Sequence, residues 1–155
     1  MKERKPALFI IAPVVLFFDQ LSKFIVISNL SLNQSIPLIK GIFHLTLVYN
    51  RGAAFGILKN QLPLFIFTSL TAIILIYLNY KKNKEKESFC YNLSLGLILA
   101  GALGNLIDRI FLGYVIDFLD FRIWPVFNIA DSAITVGAFL LAYSMLKTKQ
   151  KAARP

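Results

Sequence analysis

The chain has one cysteine, one histidine and one tryptophan among 155 residues, and its 8 acidic residues are outnumbered by 17 lysines and arginines. A lone cysteine, Cys90, cannot close an internal disulfide or supply a thiolate cluster. It lies in an apolar run and reads as a packing residue. With His44 as the sole imidazole there is no H-E-x-x-H helix and no Cys/His ligand set, which argues against a zinc site. No G-x-S-x-G elbow is present either. No Pro/Gly/Ser-rich linker divides the chain, so residues 1–155 are expected to form a single domain.

What the chain has in excess is apolar surface. Its residues are 57% hydrophobic, against about 45–50% in soluble domains, and the mean hydropathy is +0.65. The excess is concentrated in four blocks, roughly Ala7–Ser28, Leu62–Tyr80, Phe89–Leu112 and Asn128–Leu146. Each is long enough to cross a hydrocarbon core of about 30 Å as a helix rising about 1.5 Å per residue. Helix is the default because lipid offers backbone groups no partner. Tyr77, Tyr80, Tyr91 and Trp124 fall near block ends, where interfacial aromatics belong. The first block follows a basic "MKERK", like a signal peptide, but it is too long and carries Asp19, Gln20 and Lys23. It is expected to be retained as a helix.

The net charge of +9 has a topological explanation. Eleven lysines and arginines lie in the N-terminus, in "KKNKEKE" between blocks two and three, and in the C-terminus; four lie in the other two connections. The positive-inside rule places both termini in the cytoplasm. The charge also favours anionic membrane phospholipid. No nucleic-acid motif accompanies it, so no nucleic-acid partner is expected.

The connection Asn29–Gln61 is more than linker. "FHLTLVYN" alternates Phe43, Leu45, Leu47 and Tyr49 with His44, Thr46, Val48 and Asn50, the period of a half-buried strand. "QSIPLIKG" is a candidate partner strand. The expected architecture is an all-α membrane protein. It has four transmembrane helices and a small extracytoplasmic β-sheet between helices 1 and 2. His44 reads as a solvated strand residue.

Ionisable groups inside a membrane are costly and mark functional candidates. Counted from the cytoplasmic ends, Asp19 lies about 18 Å into helix 1 and Lys23 about 24 Å; Asn105 and Asp108 lie about 24 and 29 Å into helix 3. Asp131 opens helix 4 and Asp117 follows helix 3, so all of them fall in the outer leaflet and its interface. Asp19 and Lys23 are spaced i, i+4 and read as a structural ion pair. Asn105 and Arg109 share a helix face. Asp108, beside Arg109, is expected to be held ionised in a structural role. Asn128 is a good N-cap and Asp131 then stands at N3, where an acid favours the helix dipole. Asp117 and Asp120 cannot share a face of an extended segment, so only one of them need meet Asp131.

Two hydrolytic constellations remain. Ser22 and Lys23 are adjacent, and adjacent residues do not face each other on a helix. Two aspartates in a low-dielectric site are the better fit. One is driven to hold a proton and the other to stay ionised, so that one donates to a carbonyl and the other takes a proton from water. An ion carrier would instead need a polar path through both leaflets, and the cytoplasmic halves of the blocks are almost purely apolar.

"DQLSK" (Asp19–Lys23), "YNRGAAFG" (Tyr49–Gly56), "GALGNLIDR" (Gly101–Arg109), "VIDF" (Val115–Phe118) and "FNIADSAITVG" (Phe127–Gly137) together resemble the motif series of lipoprotein signal peptidase, or signal peptidase II. The resemblance implies a multi-pass aspartic peptidase of the bacterial inner membrane with its site facing outward. It would remove signal peptides from diacylglyceryl-modified prolipoproteins, cutting before the lipidated cysteine. It further implies Asp117 and Asp131 as the catalytic pair. Asn50, Asn105, Arg109 and Asn128 would line the substrate site, with Gly52 in the outer sheet that cradles the substrate. No metal or other cofactor is expected, and the chain is expected to act as a monomer.

Overall fold

The computed structural model describes residues 8–52, 58, 60–82 and 88–152, with side chains to 147. The basic residues Lys2, Arg4, Lys5, Lys59, Lys84, Lys86 and Arg154 lie outside these. So do residues 53–57 of the "YNRGAAFG" motif.

Four helices carry the apolar blocks: α1 (Leu8–Asn29), α2 (Leu62–Lys82), α3 (Phe89–Leu112) and α4 (Ile129–Ala152). All four are long and apolar enough to cross a membrane. Phe9, Phe17, Phe24, Phe67, Ile74, Phe139 and many other large apolar side chains point outward from them. In water such a surface would aggregate; against acyl chains it is the required exterior.

The third helix is the hub. It packs on α1, α2 and α4 and buries most of one side, including Ala100, Gly101, Ala102, Gly104, Asn105 and Asp108. Small residues permit the approach. A side chain built on Gly101 would overlap the Ala130 carbonyl oxygen of α4, and one on Gly104 would overlap the Asp19 carboxylate of α1. Ser88 caps the start of α3, its hydroxyl accepting from Tyr91 N–H at 3.3 Å. Gly113 ends it in the left-handed conformation (φ 80°), and its N–H donates to Arg109 O at 3.2 Å.

Three strands gather at one end of the bundle: β1 (Ser35–Ile39), β2 (Phe43–Asn50) and β3 (Val115–Asp120). They form one antiparallel sheet in the order β1-β2-β3. The sheet therefore extends beyond the connection between helices 1 and 2. Its third strand comes from the α3–α4 connection, where no strand is expected from the sequence. The alternation of β2 is realised. Leu47 is buried with Val26, Ile116 and Phe118 under the sheet, and Leu45 and Tyr49 pack against them. Thr46 and Asn50 engage aspartates of β3. A second cluster, Leu8, Ile76 and Leu95 with Tyr80 and Tyr91, closes the opposite end of the bundle.

The segment after β3 folds straight back. Phe127 O accepts from both Phe118 and Leu119 N–H, and Phe127 N–H donates to Leu119 O at 3.1 Å. This return sets the first residue of the next cap, Asn128, directly beside β3.

Candidate active site

Asp117 and Asp131 reach the same place from different elements. Asp117 projects from β3, which Gly113 launches from the end of α3. Asp131 sits in the first turn of α4. Asn128 caps that helix with a reciprocal pair of bonds. Its Oδ1 accepts from Asp131 N–H at 2.8 Å, and its own N–H donates to Asp131 Oδ2 at 3.3 Å. The expected cap is present.

Asn128 also faces the other way. Its buried Nδ2 donates to Asp117 Oδ1 at 2.8 Å, and lies within reach of Ile116 O (3.2 Å) and Asn105 Oδ1 (3.1 Å). Asn105 Nδ2 donates to Asp131 Oδ1 at 2.7 Å. Asn50, at the end of β2, donates from Nδ2 to Asp117 Oδ2 at 2.8 Å. Each oxygen of both carboxylates thus accepts one bond, always from an uncharged donor.

Both carboxylates open onto one cavity of about 360 Å³. Asn50, Asn105, Arg109 and Thr135 add polar groups, and Phe65, Trp124 and Val126 add apolar wall. The Arg109 guanidinium rests over the Phe65 ring at 4.9 Å from its centroid and feels the charges of Asp131 and Asp117. Asp117 is 1% exposed. Burial, with the nearby charge of Asp131, pushes its carboxyl up to about 7, against the pull of the Asn50 and Asn128 bonds and the Lys23 charge.

Behind the cavity lies a buried ionic cluster. Lys23 Nζ is 2.9 Å from Asp19 Oδ2, 2.8 Å from Asp108 Oδ2 and 3.2 Å from Asn105 Oδ1. The i, i+4 pair on α1 is real. Asp108 pairs with Lys23 of another helix and not with its sequence neighbour Arg109, the partner expected from the sequence. The side chain of Arg109 lies elsewhere, on the cavity wall. Lys23 has three N–H donors and three acceptors, so its ammonium is saturated. Ser22 donates instead to Asp19 O at 2.8 Å. No Ser/Lys pair exists.

Gly52 does not belong to the sheet. It follows β2, where its N–H donates to Asn50 Oδ1 at 2.9 Å, orienting the amide that meets Asp117. Asp120 turns away from the cavity to Thr46 Oγ1 (2.7 Å) and Arg122 (3.0 Å). Gln20 was passed over as a site residue. Its Nε2 bridges Asp19 Oδ2 and Asp108 Oδ1 at 3.1 and 3.2 Å, and its place between Asp19 and Lys23 was the available signal. Thr135 lies within the "FNIADSAITVG" motif and Trp124 reads from the sequence only as an interfacial aromatic, while Phe65 carries no signal of its own in the sequence.

The family model for signal peptidase (SPase) II matches residues 11–147. The chain is a member of the signal peptidase II family. A lipoprotein signal peptidase of Halothermothrix orenii is 51% identical over 86% of this chain and 90% of its own. One of Moorella thermoacetica is 47% identical over 88% and 91%. A bacterial membrane enzyme solved at 2.3 Å superposes with a TM-score of 0.86 at 31% identity, covering 96% of this chain and 93% of its own. As a signal peptidase II, the protein is an aspartic peptidase spanning the bacterial inner membrane several times.

Proposed function

We propose that Asp117 and Asp131 are the catalytic pair of this signal peptidase II. The observation that carries the reading is their joint opening onto one cavity, with Asn128 bonded to both. With its carboxyl raised to about 7, Asp117 holds a proton near neutral pH and donates it to the scissile carbonyl oxygen. Asp131 receives the Asn105 amide and the Asn128 N–H at the positive end of α4. It is the ionised partner and takes a proton from the attacking water. Water oxygen bonds to the carbonyl carbon, giving a tetrahedral diol. Asp131 then protonates the leaving nitrogen, the C–N bond breaks, and the diol proton returns to Asp117. Arg109, facing the cavity, steadies the extra negative charge and can hold a backbone carbonyl of the substrate.

The substrate is a lipoprotein precursor, in keeping with relatives named lipoprotein signal peptidase. We read it as diacylglyceryl-modified and cut before the lipidated cysteine. The site sits where membrane helices meet the outer sheet. The substrate's acyl chains can stay between helices in lipid while the peptide enters the cavity, so no soluble domain is needed. Both acids come from one chain, and a monomer suffices.

The test is cleavage of a diacylglyceryl prolipoprotein by purified Asp117→Asn and Asp131→Asn proteins. Each should lose at least about a thousandfold in kcat while keeping a cooperative melting transition. Normal cleavage by either would remove the pair from the mechanism.

A further inference from the structure

Lys23 is 2% exposed and its charge lies far from bulk water. A buried ion pair is poor evidence of a stabilising device, since apolar side chains of similar volume often serve a seam as well. Its acceptors show another use. Asp19 offers its other oxygen, Oδ1, to Ala130 N–H at 2.8 Å, the residue before Asp131. Asp108 Oδ2 takes Ile116 N–H at 3.1 Å, the residue before Asp117. Asn105, with Oδ1 held by Lys23, can only turn its Nδ2 outward, to Asp131. One ammonium thus reaches, through one intermediary each, the backbone next to both cavity aspartates and a carboxylate oxygen of one.

We propose that Lys23 is a positioning residue for hydrolysis. Through Asp19, Asp108 and Asn105 it sets the placement of Asp117 against Asp131. Its charge lets the pair keep one negative charge in a low-dielectric site. This rests on the reading of Asp117 and Asp131 as the reacting acids. The charged groups gathered there are Asp19 and Lys23 from α1, Asp108 and Arg109 from α3, Asp117 from β3 and Asp131 from α4. The described residues of α2 and β2 at the cavity, Phe65 and Asn50, are uncharged.

Charge and placement separate in the pH profile. Removing the Lys23 cation raises the proton affinity of both reacting carboxyls. Removing the Asp108 anion lowers it. In Lys23→Met the whole bell of kcat/KM against pH is expected to move up by about one unit, and in Asp108→Asn down by a similar amount. Both variants should lose about a hundredfold in kcat, with KM changed less than about threefold. Assays use full-length protein in lipid, a diacylglyceryl lipopeptide substrate, and rates normalised to folded enzyme. Wild-type limbs in both variants, or displacement in the same direction, overturns the proposal. If Lys23→Met does not accumulate, Asp108→Asn decides alone: a downward bell supports positioning and charge supply, and an unmoved bell overturns them. Activity in Asp131→Asn would instead strike the catalytic pair itself and is scored separately.

Discussion

Asn128 Nδ2 donates to Asp117 Oδ1 at 2.8 Å while Oδ1 of the same amide and the backbone N–H cap the helix that carries Asp131. One residue therefore holds a strand and a helix in mutual register at the point where their acids meet.

These two tasks can be separated. Serine is also a good N-cap but has no amide to reach Asp117. Asn128→Ser should keep the melting temperature within a few degrees of wild type and lose activity. Asn128→Ala should lose both, with about 1 kcal/mol from the cap alone. Calorimetric melting beside a cleavage assay distinguishes the two. Equal activity in Asn128→Ser and wild type would mean that the contact to Asp117 is idle.

The raised carboxyl of Asp117 sets a pH dependence. Below about pH 4 the group is protonated whether the chain is folded or not, so its contribution is fully present and does not vary with pH. Above its unfolded value the folded protein holds a proton that the unfolded chain has lost. The stability associated with that proton is therefore present at low pH and lost as pH rises through about 7. Asp117→Asn should flatten the decline in melting temperature between pH 5 and pH 8. The alkaline limb of wild-type kcat/KM should fall near 7, since ionised Asp117 has no proton to donate.

Asn50 tunes that limb. Its amide favours the charged form of Asp117, opposing burial and Asp131. Asn50→Ala removes that support, so the alkaline limb should move to higher pH, by about one unit or less. A limb that moves down would show that the bond acts on the protonated form.

Close approach on α3 has a steric test. A methyl at Gly104 meets the Asp19 carboxylate and one at Gly101 meets the Ala130 carbonyl oxygen. Gly104→Ala should cost about 1–3 kcal/mol and lower kcat, because Asp19 cannot move without releasing Ala130 N–H. Gly113→Ala meets no atom, and its cost is conformational, from the left-handed backbone alone.

The four helices could be read from hydropathy because lipid imposes one solution on any long apolar run. The expected bounds agree closely with Leu8–Asn29, Leu62–Lys82 and Phe89–Leu112. The slab of polar groups could be read because helical rise converts residue count into depth. The strand Val115–Asp120 was not foreseen. Its partner lies about seventy positions earlier, and pairing across that separation leaves no local signal beyond a short alternation. The ownership of Asp108 was missed for the same reason. Sequence adjacency suggested Arg109, but the two side chains leave α3 about 100° apart, and it is Lys23 of α1 that packs where Asp108 points. Phe65 and Trp124 reach the cavity only through the packing of α2 and the return after β3.

The bond from Ala130 N–H to Asp19 Oδ1 joins the first helix to the last. Synthesis in the membrane delivers these helices in order, so the chain spends most of its assembly as a bundle with Asp19 lacking this partner and the second cavity aspartate not yet made. With Asp131 as the second acid of the proposed pair, cutting power would appear only on arrival of the fourth helix. A nascent or truncated copy ending before Asn128 is then expected to be proteolytically silent, and activity to report complete insertion.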